Sequence, residues 1–275
     1  MEINRSNINE IVTKASLRPD KDYGQNFLLE PDVCKKIVDL LEISSDDTVL
    51  EIGPGIGSLT HFLSISGAKE ITLVDIDKRM IDFLRILYTK NNIELVLNDI
   101  RKVDVSNYTK IIGNLPYNIT TETIVYLLEK CQKAQKMVLM CQAEAFPRFF
   151  DLSCKEYGPA SILVHLLGIS KRNFVVKPGC FYPVPKCSSL VFTIDLDENV
   201  NKSFVLEVYR FAKRLFLNRR KTIYNNLSSC LGNKDAAQKI LEDLNIPINK
   251  RPEEILPKQY VEIYNLSKDY LIDIH

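Results

Sequence analysis

No stretch of this 275-residue chain stays apolar long enough to cross a bilayer, which argues against a transmembrane helix. Residues 1–22 hold four bases (Arg5, Lys14, Arg18, Lys21) and four acids (Glu2, Glu10, Asp20, Asp22) but no apolar stretch, so neither a signal peptide nor a transit peptide is expected. Cys-x-x-Cys pairs are missing. The seven cysteines (34, 131, 141, 154, 180, 187, 230) and three histidines (61, 165, 275) are scattered too widely for a disulfide framework or a metal site. Reduced thiols and a cytoplasmic location are the expectation. There are no internal repeats and no low-complexity segment. A charge surplus is missing as well, because 36 Lys+Arg face 35 Asp+Glu for a net charge of +1.

What is present is unevenly placed. Residues 1–170 carry a net −4, residues 171–232 a net +7 and residues 233–275 a net −2. Arg210, Lys213, Arg214, Arg219, Arg220 and Lys221 follow one another with no acid between them. Such a run fits a polyanion partner, although a solvated helix face would read the same way.

From Thr48 onward, short apolar runs alternate with helix-like stretches. Strands are expected at 48–52, 70–75, 93–97, 110–113 and 136–141, and helices at 57–66, 78–90 and 121–131. This alternation predicts a doubly wound, Rossmann-like α/β fold with a mostly parallel sheet. Segments 171–176 and 188–194 flank a Pro/Gly-rich stretch and read as an antiparallel hairpin on the sheet edge. After Asp195 the spacing becomes helical at 202–217, 221–231, 235–244 and 257–266, which predicts a small all-helical C-terminal domain. The expected division is an N-terminal arm over 1–22, a sheet domain over 23–197 and the helical domain over 198–275.

Glu51-Ile-Gly53-Pro54-Gly55-Ile-Gly57 lies between a strand and a helix, where glycines allow a tight turn and close approach of a ligand to the backbone. A dinucleotide fingerprint would require a third glycine where Ser58 stands, and Pro54 removes an amide that a diphosphate would use. The loop therefore suits a nucleoside without a diphosphate. Asp75 ends the next strand about 20 residues on, where an acid accepts from ribose hydroxyls. Asp99 follows the third strand and is placed to accept from an adenine amino group. Together with Glu51 these acids also suit a cation, and S-adenosylmethionine, an adenosine bearing a sulfonium, meets each requirement.

The fourth strand runs into Asn114-Leu115-Pro116-Tyr117-Asn118-Ile119. By itself this is a turn. Beside a ligand crevice it offers more, because the exocyclic amine of adenine is a poor nucleophile with its lone pair delocalised into the ring. The Asn114 side-chain carbonyl and the Leu115 backbone carbonyl could accept both N–H groups and aim the lone pair, with Pro116 holding the peptide. Tyr117 offers a face on which an extruded base could stack.

With Gly24-Gln25-Asn26-Phe27-Leu28, the glycine loop, Phe181-Tyr-Pro-Val-Pro-Lys186-Cys-Ser-Ser189 and Asn218-Arg-Arg-Lys-Thr-Ile-Tyr-Asn-Asn-Leu227, the chain resembles the rRNA adenine N6-methyltransferases. The last segment is similar to the small-subunit (16S) branch, and the likeness spans roughly residues 23–266. It implies an S-adenosylmethionine-dependent enzyme that dimethylates two adjacent adenosines in a hairpin loop near the 3′ end of small-subunit rRNA. It further implies that Asn26 and Leu28, supported by Gln25, meet the methionine and ribose side of the cofactor. Glu51, Gly53, Gly55 and Gly57 would cradle its body, Asp75 would take the ribose and Asp99 the adenine, and Asn114 would stand between cofactor and base. The helical domain would contact rRNA and the assembling small subunit through the six basic residues, in a monomeric protein. Residues 138–148 depart from the family wording, and Pro147 is expected in the first turn of a helix with a shifted start. A large-subunit methyltransferase of the antibiotic-resistance type and a non-catalytic assembly or transcription factor are the competing readings.

Overall fold

The computed structural model describes residues 2–14, 17, 19, 25–115, 120–145 and 147–271. In chain order these form α1 (Ile8–Lys14), β1 (Phe27–Leu28), α2 (Pro31–Asp39), β2 (Thr48–Ile52), α3 (Thr60–Leu63), β3 (Glu70–Asp75), α4 (Lys78–Leu87) and β4 (Ile93–Leu97). There follow β5 (Lys110–Asn114), α5 (Thr120–Lys130), β6 (Lys136–Gln142), α6 (Pro147–Phe150), α7 (Pro159–Leu167), β7 (Gly168–Val176), β8 (Phe181–Tyr182) and β9 (Ser189–Leu196). The chain closes with α8 (Lys202–Leu215), α9 (Ile223–Leu231), α10 (Lys234–Asp243) and α11 (Pro257–Ser267). Among the described residues no helix is long and apolar enough to cross a membrane.

Seven strands form one sheet in the order β4-β3-β2-β5-β6-β9-β7. The pairs β2–β3, β3–β4, β2–β5 and β5–β6 are parallel, and β9 runs antiparallel to β6, as the edge-hairpin expectation had it. The parallel strands read as near-continuous apolar runs because both faces are covered: Val49, Leu50, Ile111, Ile112 and Met137–Cys141 are almost wholly buried. From β2 the chain winds outward to β3 and β4, then returns to lay β5 and β6 on the other side of β2. Strand order thus reverses between β2 and β5, where an open α/β sheet forms a crevice at its carboxyl edge. The register pairs Ile52 with both Val74 and Gly113, and Asn114 with Met140, so these strand ends lie side by side.

Gly113 is required by that closeness. A Cβ there would stand 2.9 Å from the Ile52 carbonyl oxygen and 3.1 Å from its Cβ, and the oxygen belongs to backbone that cannot rotate away. Gly113→Ala is expected to cost about 1–3 kcal/mol by overpacking. Calorimetry should show the melting temperature falling by about 2–4 °C per kcal/mol lost. A variant melting with the wild type would mean that β2 and β5 separate freely.

Three expectations from sequence need correction. The helix foreseen over 57–66 shrinks to Thr60–Leu63, because Gly53, Gly55 and Gly57 carry positive φ of 65°, 55° and 94° and hold the chain out of the helical region. The N-terminal segment is not a free arm. Ile3, Ile8, Ile11, Val12 and Leu17 bury themselves against Phe27, Leu29, Ile56 and Met80, and the Arg5 side chain donates to Glu30 and to the Gly179 carbonyl. The third correction concerns the division of the chain. Two compact units form, Met1–Phe146 with Ser170–Leu196, and Pro147–Ile169 with Asp197–His275. Residues 147–169 therefore leave the sheet domain to which they were assigned and join the C-terminal helices. Tyr157 and Ile162 are completely buried among Val208, Phe211, Leu215 and Tyr260, and the Tyr157 hydroxyl donates to the Ile255 carbonyl at 2.8 Å. Pro147 does open a helix, the four-residue α6.

Candidate active site at the carboxyl edge of the sheet

The crevice at the point of reversal is walled by the loop before β1, by the end of β2 with its glycines and by the end of β5. Of the residues singled out by sequence, Asn26, Leu28, Glu51, Gly53, Gly55 and Asn114 line one cleft. Phe27, Pro54, Ser58, Leu59 and Met140 complete its walls. Sequence reasoning gave those five no ligand role. Phe27 stood inside a quoted motif and Pro54 inside the glycine loop, whereas Met140 enters only because β6 pairs it with Asn114.

The wall segments are tied to each other. The Asn114 amide nitrogen donates to the Asn26 carbonyl at 3.3 Å, and the Ser58 hydroxyl donates to the Leu28 carbonyl at 2.6 Å. The short sheet of β1 with β8 pairs Phe27 with Tyr182 and Leu28 with Phe181, which anchors the 25–29 loop from outside. At Gly53 a Cβ would lie 3.6 Å from the Asn114 carbonyl, and at Gly55 it would meet the Phe27 ring at 3.2 Å. With positive φ at both, side chains there would be strained and would crowd the cleft.

Other predicted residues serve the cleft from a distance. Gly57 does not line it: a Cβ there would meet Leu84 at 2.8 Å, so this glycine lets the turn pack on α4. Gln25 donates to Asp77 at 2.9 Å; Asp77 also caps α4 and pairs with Arg79 at 2.6 Å. Asp75 accepts from the Gly55 amide at 3.2 Å and from the Asp77 amide at 2.9 Å, so its carboxylate braces the glycine loop. Burial pushes the Asp75 carboxyl up to about 6 against those hydrogen bonds. Asp99 lies at the end of β4, where Arg101 pairs with it at 2.7 Å and holds its carboxyl below the usual range. From β2 to β4 the edge spans two strand spacings of about 4.8 Å each, so the glycine loop, Asp75 and Asp99 form a row along which an extended ligand could lie.

Leu115 is buried, and its amide donates to the Met140 carbonyl at 2.9 Å, which continues the β5–β6 ladder past Asn114. Pro116 and Tyr117, expected to act beside Asn114, lie outside the described residues.

Glu51 is the unusual member of the set. It is 1% exposed, and Thr60 Oγ1 donates to its Oε2 at 2.7 Å. Burial, opposed by that hydrogen bond and reinforced by the Asp75 charge, pushes its carboxyl up to about 8.

The six basic residues all sit in the helical unit and all are exposed. Arg210, Lys213 and Arg214 share one face of α8 by their three- and four-residue spacing. Arg219 differs from the rest. Its guanidinium donates to the Lys155 and Tyr157 carbonyls at 3.1 and 2.9 Å and lies 5.7 Å from the Phe216 ring centre. Buried Asn226 donates to the carbonyls of Asn218, Lys221 and Thr222, fixing the loop that presents Arg220 and Lys221.

A family model described as ribosomal RNA adenine dimethylase matches residues 16–269, nearly the whole chain. The chain belongs to the ribosomal RNA adenine dimethylase family. Relatives of this dimethylase include the ribosomal RNA small subunit methyltransferase A of Mycoplasma capricolum, 32% identical over 265 residues that cover 91% of this chain and 98% of that one. The protein of the same name from Lactobacillus johnsonii is 34% identical over 279 residues, 94% of each chain. Among solved structures, a dimethyladenosine transferase from Plasmodium falciparum superposes with a TM-score of 0.74 at 26% identity, covering 88% of this dimethylase and 98% of that chain. The 23S rRNA methyltransferase ErmE shares the fold, with a TM-score of 0.67 at 22% identity over 88% of this chain and all of its own. The dimethylase is thus a methyltransferase with a mostly parallel α/β sheet, as the sequence motifs implied.

Proposed function

We propose that the protein transfers methyl groups from S-adenosylmethionine to N6 of two adjacent adenosines in a hairpin loop near the 3′ end of small-subunit (16S) rRNA, during assembly of the subunit in the cytoplasm. The observation that carries this reading is the meeting of Asn114, the glycine loop and the Asn26–Leu28 segment in one cleft at the strand reversal. The residues suit such a cofactor: glycines keep the loop free of side chains, Asp75 and Asp99 follow in a row for a nucleoside, and Glu51 is an acid with no base beside it among the described residues. When bound, S-adenosylmethionine would supply an electrophilic methyl on its sulfonium.

The chain's own part is binding and aim. Asn114 is held by its amide on the Asn26 carbonyl, which turns its side-chain oxygen into an acceptor of fixed direction. That oxygen and the Leu115 carbonyl would accept the two N–H groups of the target amine, localise its lone pair and point it along the line of transfer. This is catalysis by positioning, in which no strong base is required. Tyr117 would stack the extruded adenine and Pro116 would stiffen the turn. In the helical unit, Arg210, Lys213, Arg214, Arg220 and Lys221 would meet RNA phosphates, with Arg219 shaping their loop.

The small-subunit reading is favoured over the large-subunit one because relatives at 32–34% identity are named for the small subunit, while the 23S rRNA enzyme is 22% identical. Purified protein is expected to convert two adenosines of under-methylated small subunits to N6,N6-dimethyladenosine, read by mass spectrometry of the rRNA. Transfer to naked large-subunit rRNA in place of small subunits would sink the proposal.

A further inference from the structure

A buried acid in a ligand cleft, with no base among the described residues to balance it, calls for an explanation. Glu51 is paired across β2 with Leu73 on one side and Ile112 on the other. The groups that face it are Thr60 from α3, Asp75 from the end of β3, Tyr88 from the end of α4 and Cys34 from α2. The β5 side offers Ile112, Gly113 and Asn114, none of which titrates. Among the described residues none of these neighbours is cationic, and no ion pair includes Glu51. Tyr88 and Cys34 cannot compensate, because burial pushes the Cys34 thiol up to about 12 and the Tyr88 phenol higher still, so both stay neutral. The Tyr88 hydroxyl is itself buried without a hydrogen-bond partner, which marks the surroundings as poor in polar contacts. A carboxylate in such a place is costly to ionise unless a cation arrives.

We infer that Glu51 is a proton-coupled counter-charge for a cationic ligand: neutral while the cleft holds no cation, and ionised, with its proton released to solvent, when a positively charged ligand enters. The inference rests on the cofactor reading proposed above, and it makes Glu51 a residue that selects for positive charge. An uncharged nucleoside would gain no such partner, because it gives Glu51 no reason to ionise.

The direction of the pH effect follows. Below the Glu51 value of about 8, binding a cation must expel a proton, so affinity should rise with pH by up to tenfold per unit and flatten above it. Asp75 lies close by, but its value of about 6 leaves it mostly ionised at neutral pH, so it contributes little to release there. The ligand's own ammonium titrates near pH 8, by analogy with an ordinary α-amino group at about 7.7–8.0, and does so equally for wild type and variants.

Isothermal titration calorimetry of the full chain with S-adenosylmethionine, in buffers of differing ionisation enthalpy, counts the protons directly. Measured against Glu51→Gln, which carries the ammonium's proton uptake alone, wild type should release well over half a proton more per ligand near pH 7.5, a difference that falls towards zero by about pH 9. In Glu51→Gln, which keeps the acceptor for Thr60, only the ammonium's uptake should remain and the affinity should lose its rise with pH. Asp75→Asn should leave the release at pH 7.5 largely in place. Equal proton counts for wild type and Glu51→Gln would overturn this inference while leaving the cofactor reading standing. Failure of wild type to bind S-adenosylmethionine at any pH would overturn the cofactor reading itself, and this inference with it.

Discussion

Asn114→Ala is expected to lower the single-turnover rate of methyl transfer by about 10²–10³-fold, the usual consequence of deleting one preorganised hydrogen-bonding group at a reacting centre. Its effect on cofactor affinity should be far smaller. The variant loses the bond from the Asn114 amide to the Asn26 carbonyl, and a neutral hydrogen bond is worth roughly 1 kcal/mol, or about fivefold. The cleft walls would otherwise remain, because β1 stays anchored by β8 and Ser58 still holds the Leu28 carbonyl. Measuring the rate at saturating cofactor separates the two effects. If rate and affinity fell by the same factor, Asn114 would be a brace for the 25–28 loop and no more, and the aiming of the adenine amine would have to come from elsewhere.

Binding to the small subunit should weaken on the order of 10²–10³-fold between about 50 and 200 mM monovalent salt, if five exposed cations each displace a counterion from phosphate. Replacing Arg210, Lys213, Arg214, Arg220 and Lys221 by Ala should flatten the slope of log affinity against log salt by about 0.7–0.9 for each cation removed. An unchanged slope would reduce the basic run to a solvated helix face. Arg219 is expected to behave differently from its neighbours. It spends its guanidinium on the Lys155 and Tyr157 carbonyls, so Arg219→Ala should cost about 1–2 kcal/mol of stability and lower the melting temperature. A full unit of salt slope lost with no change in melting would show that Arg219 contacts phosphate and that its carbonyl bonds are incidental.

The segments best read from sequence were those whose information is local. Strands 48–52, 70–75 and 93–97 emerged with their bounds intact, because each is a short apolar-rich run between turn residues, although only the first two are covered on both faces and 93–97 lies at the sheet edge. The glycine loop was visible for a similar reason: positive φ at 53, 55 and 57 is a demand on backbone conformation that glycine meets wherever it occurs. The same reasoning did not show that Gly57 also lets the turn pack against Leu84, or that Gln25 donates to Asp77. Nothing local distinguishes a glycine that faces a ligand from one that faces a helix. The N-terminal segment was misread for a related reason. Its apolar residues Ile3, Ile8, Ile11 and Val12 are spaced among charges, and their partners Phe27, Ile56 and Met80 are tens of residues away.

The sequence by itself determined the elements, the loop that leaves a ligand room, the acids in order behind it and the family to which the chain belongs. The elements, the loop and the acids rest on periodicity, backbone preference and residue chemistry, which act within a few residues, and the family rests on the likeness of several motifs in order along the chain. Tertiary structure alone decided which strand ends meet, that Met140 stands beside Asn114, that residues 147–169 belong with the C-terminal helices and that Glu51 is buried with no base beside it among the described residues. Each of these depends on strand order and on the burial of groups far apart in the chain, and a carboxylate's charge depends on what surrounds it in space, whatever its neighbours in sequence.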